Sequence, residues 1–369
     1  MIDIAGAVTT DAIDDKTRDQ PEPAHRAAGV GPVAAHYGDP MREQRLLATG
    51  VGLVDRSHRG VVAVPGEERI SWLHTLTSQH LAALARWQGT ELLVLSPHGH
   101  VEQHAMVADD GETTWLDTEP GMTEGLLSYL EKMRFFSRVD PRDATAEHAL
   151  LSLVGPEASG ALDTLGVTGL AGPDVVAVPG PKFRSGELPA RPSVVYDVKP
   201  LPAGGWARRV ALGVDLLVPR AAMDEVVAEL RGAGVPVAGL WAYEAMRVAA
   251  KRARAGVDTD HRTIPAEVDL IAPAVHLDKG CYRGQETVAR VHNLGKPPRR
   301  LVLLHLDGVA SDQPPVAGTP VTLDGRTVGF VGTAVQHFEL GQVALAVLKR
   351  NTPDDARLLV GESAAAIDA

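Results

Sequence analysis

Three things are scarce in this sequence, and each scarcity excludes something. The chain of 369 residues holds one cysteine, Cys281. An internal disulfide is therefore excluded, a usage that fits a reducing compartment. Aromatic residues make up only 4% of the chain, so the core must be built mainly from Val, Leu and Ala. Positive charge is in deficit: 36 Lys and Arg stand against 47 Asp and Glu, for a formal net charge of -11. Tight non-specific nucleic-acid binding needs Lys and Arg against phosphates, so no stable nucleic-acid partner is expected. Two local basic clusters, Pro297-Pro298-Arg299-Arg300 and Lys251-Arg252-Ala253-Arg254, read as solvated charge. No run approaches the roughly 20 apolar residues that a membrane-spanning helix requires. The acidic, polar stretch from Met1 to Pro23 lacks the apolar centre of a secretory signal. The expectation is a soluble, cytoplasmic monomer without a membrane partner.

What is present is a chain long enough for two or three domains. Residues 1–25, rich in Asp, Thr and Pro without a period, read as a disordered tail. Val61 to Val64 reads as a buried strand ended by Pro65-Gly66, and Ile70, Leu73 and Leu76 give the next helix its apolar face. Leu92 to Leu95 and Val101 to Val107 read as hairpin partners around Pro97-His98-Gly99-His100. A second strand-turn-helix unit begins at Leu150. Helices are expected over 123–132, 221–231 and 241–253, the last with Glu244 and Arg247 paired on its surface. From Arg299 several short strands follow, with Asp324-Gly325 as a hairpin turn. Strands and helices in this order imply an α+β fold with a small C-terminal β-barrel. The boundaries are a tail at 1–25, a main region at 26–298, a barrel at 299–350 and a frayed end at 351–369.

The densest chemistry lies in Lys279-Gly280-Cys281-Tyr282-Arg283-Gly284-Gln285-Glu286. A cysteine reacts as thiolate, and nearby cations favour that form. If the segment is extended, residues 279, 281 and 283 share a face, which would bring Lys279 and Arg283 beside the sulfur. The alternative is a small buried hydrophobe in a turn. A structural zinc site needs about four ligands, and no second cysteine is present. His261, His276 and His292 lie near in sequence, and a Cys-His pair with His276 or His292 is a second option. Glu267, after Pro265, is either a surface charge or an acceptor for a ligand with paired N–H donors.

These eight residues closely resemble the K-G-C-Y-x-G-Q-E signature of the YgfZ family. That family is a folate-binding branch related to the T-protein, the aminomethyltransferase of the glycine cleavage system. Its mitochondrial relatives act in iron-sulfur protein maturation. Gly52-Leu53-Val54-Asp55-Arg56-Ser57 and Val64-Pro65-Gly66 look like the family's opening. Arg262 to Glu267, Ala289 to His292 and Gly295-Lys296-Pro297 look like the flanks of the signature. The resemblance covers roughly residues 30–350. It implies a three-lobed, GcvT/YgfZ-like fold that binds tetrahydrofolate, with Glu267 at the position of a pterin-contacting glutamate. The T-protein's Gly-x-x-x-Asp-Asp pattern falls on Gly99 to His104, so that Gln103 and His104 stand where the aspartates would be. Glutamine cannot replace a carboxylate as proton acceptor, whereas histidine can. The resemblance thus implies a folate-binding protein that supports iron-sulfur cluster assembly or repair in client enzymes, including tRNA-modifying ones. Cys281 is its working thiol, tuned by Lys279 and Arg283. Tyr282, Gln285 and Glu286 shape the loop, and Glu267, Gln103 and His104 line the cofactor. The alternatives are a folate-dependent one-carbon transferase or demethylase, and a non-catalytic folate-binding module.

Overall fold

A computed structural model describes Ile2, Ile4 and residues 6–10, 32–178, 182–183, 186–187, 191–309 and 313–368. The chain forms two compact units. The first comprises residues 1–93, 103–243 and 272–282. The second comprises residues 94–102, 244–271 and 283–369.

The first unit is organised by a mixed sheet. From one edge, its strands run Val237–Ala238, Gly52–Asp55, His148–Val154, Gly213–Pro219, Trp206–Val210 and Arg191–Pro200. They continue with Gln88–Leu95, Val101–Asp109, Thr113–Thr118, Gly60–Pro65 and Arg142–Asp143. Strand Gly52–Asp55 pairs antiparallel with His148–Val154 of the second strand-turn-helix unit, whereas Gly60–Pro65 of the first pairs with Thr113–Thr118 and Arg142–Asp143. Leu53, Leu151, Leu153, Leu216 and Val218 pack with Leu162, Val226 and Leu230 of the helices in one apolar cluster. Each such fully buried side chain contributes about 1.5–3 kcal/mol relative to exposure.

The helix Thr123–Lys132 has the expected bounds, with Leu126 and Leu130 buried. The helix Pro40–Thr49 went unread in the sequence although its signals are present. Asp39 is its N-cap and accepts from the Met41 and Arg42 amides, and proline occupies the first turn.

The second unit is built on a closed barrel. Its strands follow the order Arg299–Leu306, Gly341–Lys349, Arg326–His337, Pro320–Leu323, Leu358–Val360 and Ser363–Ile367. The last strand pairs back onto the first. Val302, Leu304 and Leu306 point into the barrel core, and Leu303 packs outside it with Val248, Val343 and Leu345. That is the period-two alternation of a strand with both faces covered. Asp324 and Gly325 both have positive φ, at 49° and 75°, as a two-residue hairpin turn of this hand requires.

Two expectations are corrected here. Residues 351–369 are not a frayed end: Leu358–Val360 and Ser363–Ile367 close the barrel. Short alternation with small Ala side chains hid that strand, because its apolar pattern is weak. The Glu244–Arg247 pair is buried rather than on the surface, and Arg247 also pairs with Asp258 at 2.9 Å. The expected tail at 1–25 lies largely outside the described residues, although Val8–Thr9 pairs with Ala34–His36. Among the described residues, no helix is long and apolar enough to cross a membrane.

Candidate functional site

The stretch leading into Cys281 is fastened, turn by turn, to the first unit. Gln79 donates its side-chain amide to the carbonyls of Ala272 and Pro273, at 3.1 and 2.8 Å. The Ser78 hydroxyl donates to the Ala274 carbonyl at 2.6 Å, and the His276 amide donates to the Ser78 carbonyl at 3.0 Å. Arg191 pairs with Asp278 at 2.5 Å. Lys279 is buried and donates its ammonium to the carbonyls of His74 and Thr77. Those carbonyls belong to the end of the helix Arg69–Leu76, where unpaired C=O groups and the negative end of the helix dipole favour a cation. Burial pushes the Lys279 amine down to about 7.

The surroundings of that lysine are rich in imidazole. The rings of His74 and His80 lie 4.8 Å apart, and those of His80 and His276 lie 5.1 Å apart. Burial, with Lys279 close by, pushes His74 down to about 4, and burial lowers His80 as well. The rings of His74 and His80 are therefore neutral at pH 7. Among the described residues, no cluster of His, Cys, Asp and Glu has the arrangement to hold a metal ion.

Beyond this anchor the chain turns. Residues 279–284 form bends and a turn rather than a strand, so alternation does not set the directions of Lys279, Cys281 and Arg283. Gly280 and Gly284 have φ of 105° and 82°, which favours glycine at both. A Cβ on Gly284 would also sit 2.5 Å from the Ser96 carbonyl oxygen. Between the two glycines the Cys281 thiol is exposed and free. Tyr282 is buried, its ring 5.4 Å from the Lys279 ammonium. Burial, with Asp278 nearby, raises the tyrosine's pKa.

In the second unit, Gln285 and Glu286 open the helix Gln285–Leu294, with the left-handed Gly284 at its N-cap. A carboxylate in that first turn suits the helix dipole. The left-handed Gly295 ends the helix, a stop signal legible in the sequence as Leu294-Gly295. Arg283 forms an exposed ion pair with Glu102, at 3.1 Å.

Glu267 is buried in the second unit, in the short helical turn Pro265–Glu267. Its Oε1 accepts from Arg299 Nε at 2.9 Å. Its Oε2 accepts from Arg299 Nη2 at 2.8 Å and from the Ile264 amide at 3.1 Å. Arg299 also pairs with Asp260, at 2.8 Å. Burial alone would raise Asp260, but hydrogen bonds from Arg299 and Thr263 hold it well below the usual carboxylate range.

Gln103 and His104, adjacent on the strand Val101–Asp109, fall on opposite faces of the sheet. Gln103 turns toward the helix Thr123–Lys132: its Nε2 lies 2.7 Å from the position of a Cβ on Gly125. Its Oε1 is buried, with no hydrogen-bond partner among the described residues. His104 turns the other way. Its Nε2 lies 2.8 Å from Oε2 of Glu91, a side chain with no exposed surface. Tyr196, also buried, donates its hydroxyl to the other oxygen of Glu91. Sequence reading missed Glu91 and Tyr196. Glu91 stands inside the apolar run of a strand, Thr90-Glu91-Leu92-Leu93-Val94-Leu95, and a carboxylate there was the available signal.

Residues 36–172 match the GCVT N-terminal domain. The chain is 26% identical over 305 residues to "Putative transferase At1g60990, chloroplastic" of Arabidopsis thaliana, covering 80% of this chain and 65% of that one. It therefore spans just under two thirds of that relative's length. It is 27% identical over 323 residues to an aminomethyltransferase of a Nostoc species, covering 83% of this chain and 78% of that one. Among solved structures, aminomethyltransferase T of the glycine cleavage system from Bartonella henselae superposes with a TM-score of 0.76 at 18% identity. That match covers 98% of this chain and 92% of the other. The chain thus has the GcvT-like fold, with mixed α/β content and a closed C-terminal barrel.

Proposed function

We propose that the protein binds tetrahydrofolate and, as a YgfZ-like member of this fold group, supports assembly or repair of iron-sulfur clusters in client enzymes through Cys281. The observation that carries the reading is the thiol loop. Cys281 is exposed between two left-handed glycines, on a segment fastened through Lys279 to a helix end. An exposed free thiol on an anchored turn suits a transient iron or sulfur ligand, or a nucleophile. Tetrahydrofolate suits the chain's acceptors: a reduced pterin carries N–H donors, and the imidazole of His104 retains an open ring nitrogen. Glu267 enters that recognition only if the pterin displaces Arg299 from its carboxylate. Lys279 serves this reading by holding the loop.

A deletion strain complemented with wild type or with Cys281→Ala tests the proposal. Iron-sulfur enzymes, tRNA-modifying ones among them, should recover activity with wild type and not with the variant, at equal levels of folded protein. Full recovery with Cys281→Ala removes the thiol from the function.

A second reading, a folate-dependent one-carbon transferase, is favoured by the Glu91–His104 contact, which supplies a proton acceptor in place of the absent aspartates. Its test is steady turnover of an aminomethyl donor, with ammonia released as tetrahydrofolate becomes methylene-tetrahydrofolate.

A further inference from the structure

The turn that follows the helix Thr123–Lys132 sets two aromatic side chains in water. Phe135 is 77% exposed and Phe136 is fully exposed, in a chain with only five phenylalanines. The Ser137 amide donates to the Arg134 carbonyl at 2.9 Å, so Phe135 and Phe136 are the central residues of a tight turn. Phe135 has a φ of 44°. Positive φ at the first central position favours glycine, and a bulky aromatic there is strained. Solvent exposure and backbone geometry thus both disfavour phenylalanine at this turn.

The turn is held on both sides. The Trp72 indole donates to the Met133 carbonyl at 3.0 Å before it. After it, the Arg138 amide donates to Glu68 at 2.8 Å, and the Asp140 amide donates to the Pro65 carbonyl at 3.1 Å. Arg134 and Asp140, one from each side, pair at 3.1 Å. A held turn that keeps backbone strain and presents two aromatics to solvent is arranged for a contact outside the chain.

The surroundings select the occupant. Side chains this exposed enclose nothing, whereas a small molecule needs a concave site. The carboxylates of Glu67, Glu68, Glu131 and Asp140 outnumber the cations of Lys132, Arg134 and Arg138, which disfavours an anionic lipid surface. Two aromatics bury about 300–500 Å², short of the roughly 800 Å² per partner of a stable interface between copies. A transient contact with another protein fits both the area and the charge, and buried aromatic anchors are typical of such contacts. The turn also shares its support with the thiol loop. Glu68, the N-cap of the helix Arg69–Leu76, holds Arg138, and the carbonyls of His74 and Thr77 at the other end hold Lys279, two residues before Cys281. A helix of 8 residues is about 12 Å long.

We infer that Phe135 and Phe136 form a docking knob for a client protein, inserting into an apolar pocket that carries Lys or Arg at its margin. The inference rests on the client reading above.

The test uses the deletion strain and the iron-sulfur enzyme whose activity falls furthest in it. Phe135→Ser combined with Phe136→Ser should leave that activity about ten-fold below complementation by wild type, at equal levels of folded protein. The purified double variant should keep the wild-type thermal midpoint. Phe135→Gly should raise it, because relief of the strained φ outweighs the added freedom of the unfolded chain. A lowered midpoint means that the rings pack within the chain, and overturns the inference. Benzoylphenylalanine at position 136 should cross-link to the same enzyme in the strain, and at the exposed Leu294 it should not.

Full recovery with the double variant, or no cross-link from position 136, overturns the inference. The functional reading then stands if Cys281→Ala, scored beside it, fails to recover. Enzyme activities indifferent to the deletion overturn both. Self-association of the wild type, or its binding to vesicles of phosphatidylcholine and phosphatidylglycerol, if lost in the double variant, puts a second copy or a lipid surface in place of the client and overturns the inference as well.

Discussion

Two buried glutamates sit in the two units, and their partners differ in kind. Glu267 is clamped by Arg299, a cation at every accessible pH, with Asp260 as a second carboxylate on the same guanidinium. Glu91 is held by a phenol and an imidazole, both able to give or take a proton. Burial costs the two carboxylates similarly, and each is compensated by hydrogen bonds. The difference lies in what the compensation permits. A permanent cation fixes geometry and nothing else. An imidazole leaves one nitrogen open and lets the local charge change by one unit. Glu267 therefore reads as a brace for the turn before the barrel, and Glu91 as the support of the His104 ring.

The sharpest way to break this contrast is to disturb each pair in turn. Arg299→Ala leaves Glu267 buried without its cation and should destabilise the fold by about 3–5 kcal/mol in denaturant unfolding. Glu91→Gln keeps the shape and one of the two acceptor oxygens and should cost less, about 1–2 kcal/mol. Equal losses would erase the distinction between the two buried carboxylates.

A second prediction concerns pH in the first unit. Burial lowers the folded pKa of His74 from its ordinary 6.5 to about 4. Between those values the unfolded chain binds more protons than the native one, so the contribution of His74 is full above about pH 6.5 and is lost as pH drops toward 4. Because the ring is only half-buried, the loss should be about 1 kcal/mol after allowance for screening. His74→Asn should flatten that limb of the pH–stability curve. An unchanged limb would place the acid sensitivity elsewhere.

The smallest effect on stability belongs to the residue given the largest functional weight. Cys281 is exposed on a turn, so Cys281→Ala should stay within about 0.5 kcal/mol of wild type. A larger loss would mean that the thiol packs, and would weaken its reading as a free, reacting group.

How far the sequence reveals this molecule follows the same division. Strong periodicity located Val61–Val64, the helix Thr123–Lys132 and the Asp324-Gly325 turn, because apolar spacing and turn chemistry are local properties. The unusual loop at 279–286 was visible from its residue types alone. The helix Gln285–Leu294 was not, because only Val288 on it is buried and its apolar face is thin. Lys279 was read as a partner of the thiol on the assumption of an extended strand. Its ammonium in fact reaches the carbonyls of His74 and Thr77, about 200 positions away in the chain. Glu91 and Tyr196 are 105 positions apart and meet only through sheet order. Contacts of that range leave no spacing to read.

The central claim is most directly tested by calorimetric titration of the full chain with tetrahydrofolate, on wild type and His104→Gln at equal concentration. The account predicts saturable binding by wild type. It predicts binding at least several-fold weaker for the variant. Absence of saturable heat from wild type, or identical isotherms for the two proteins, would contradict it.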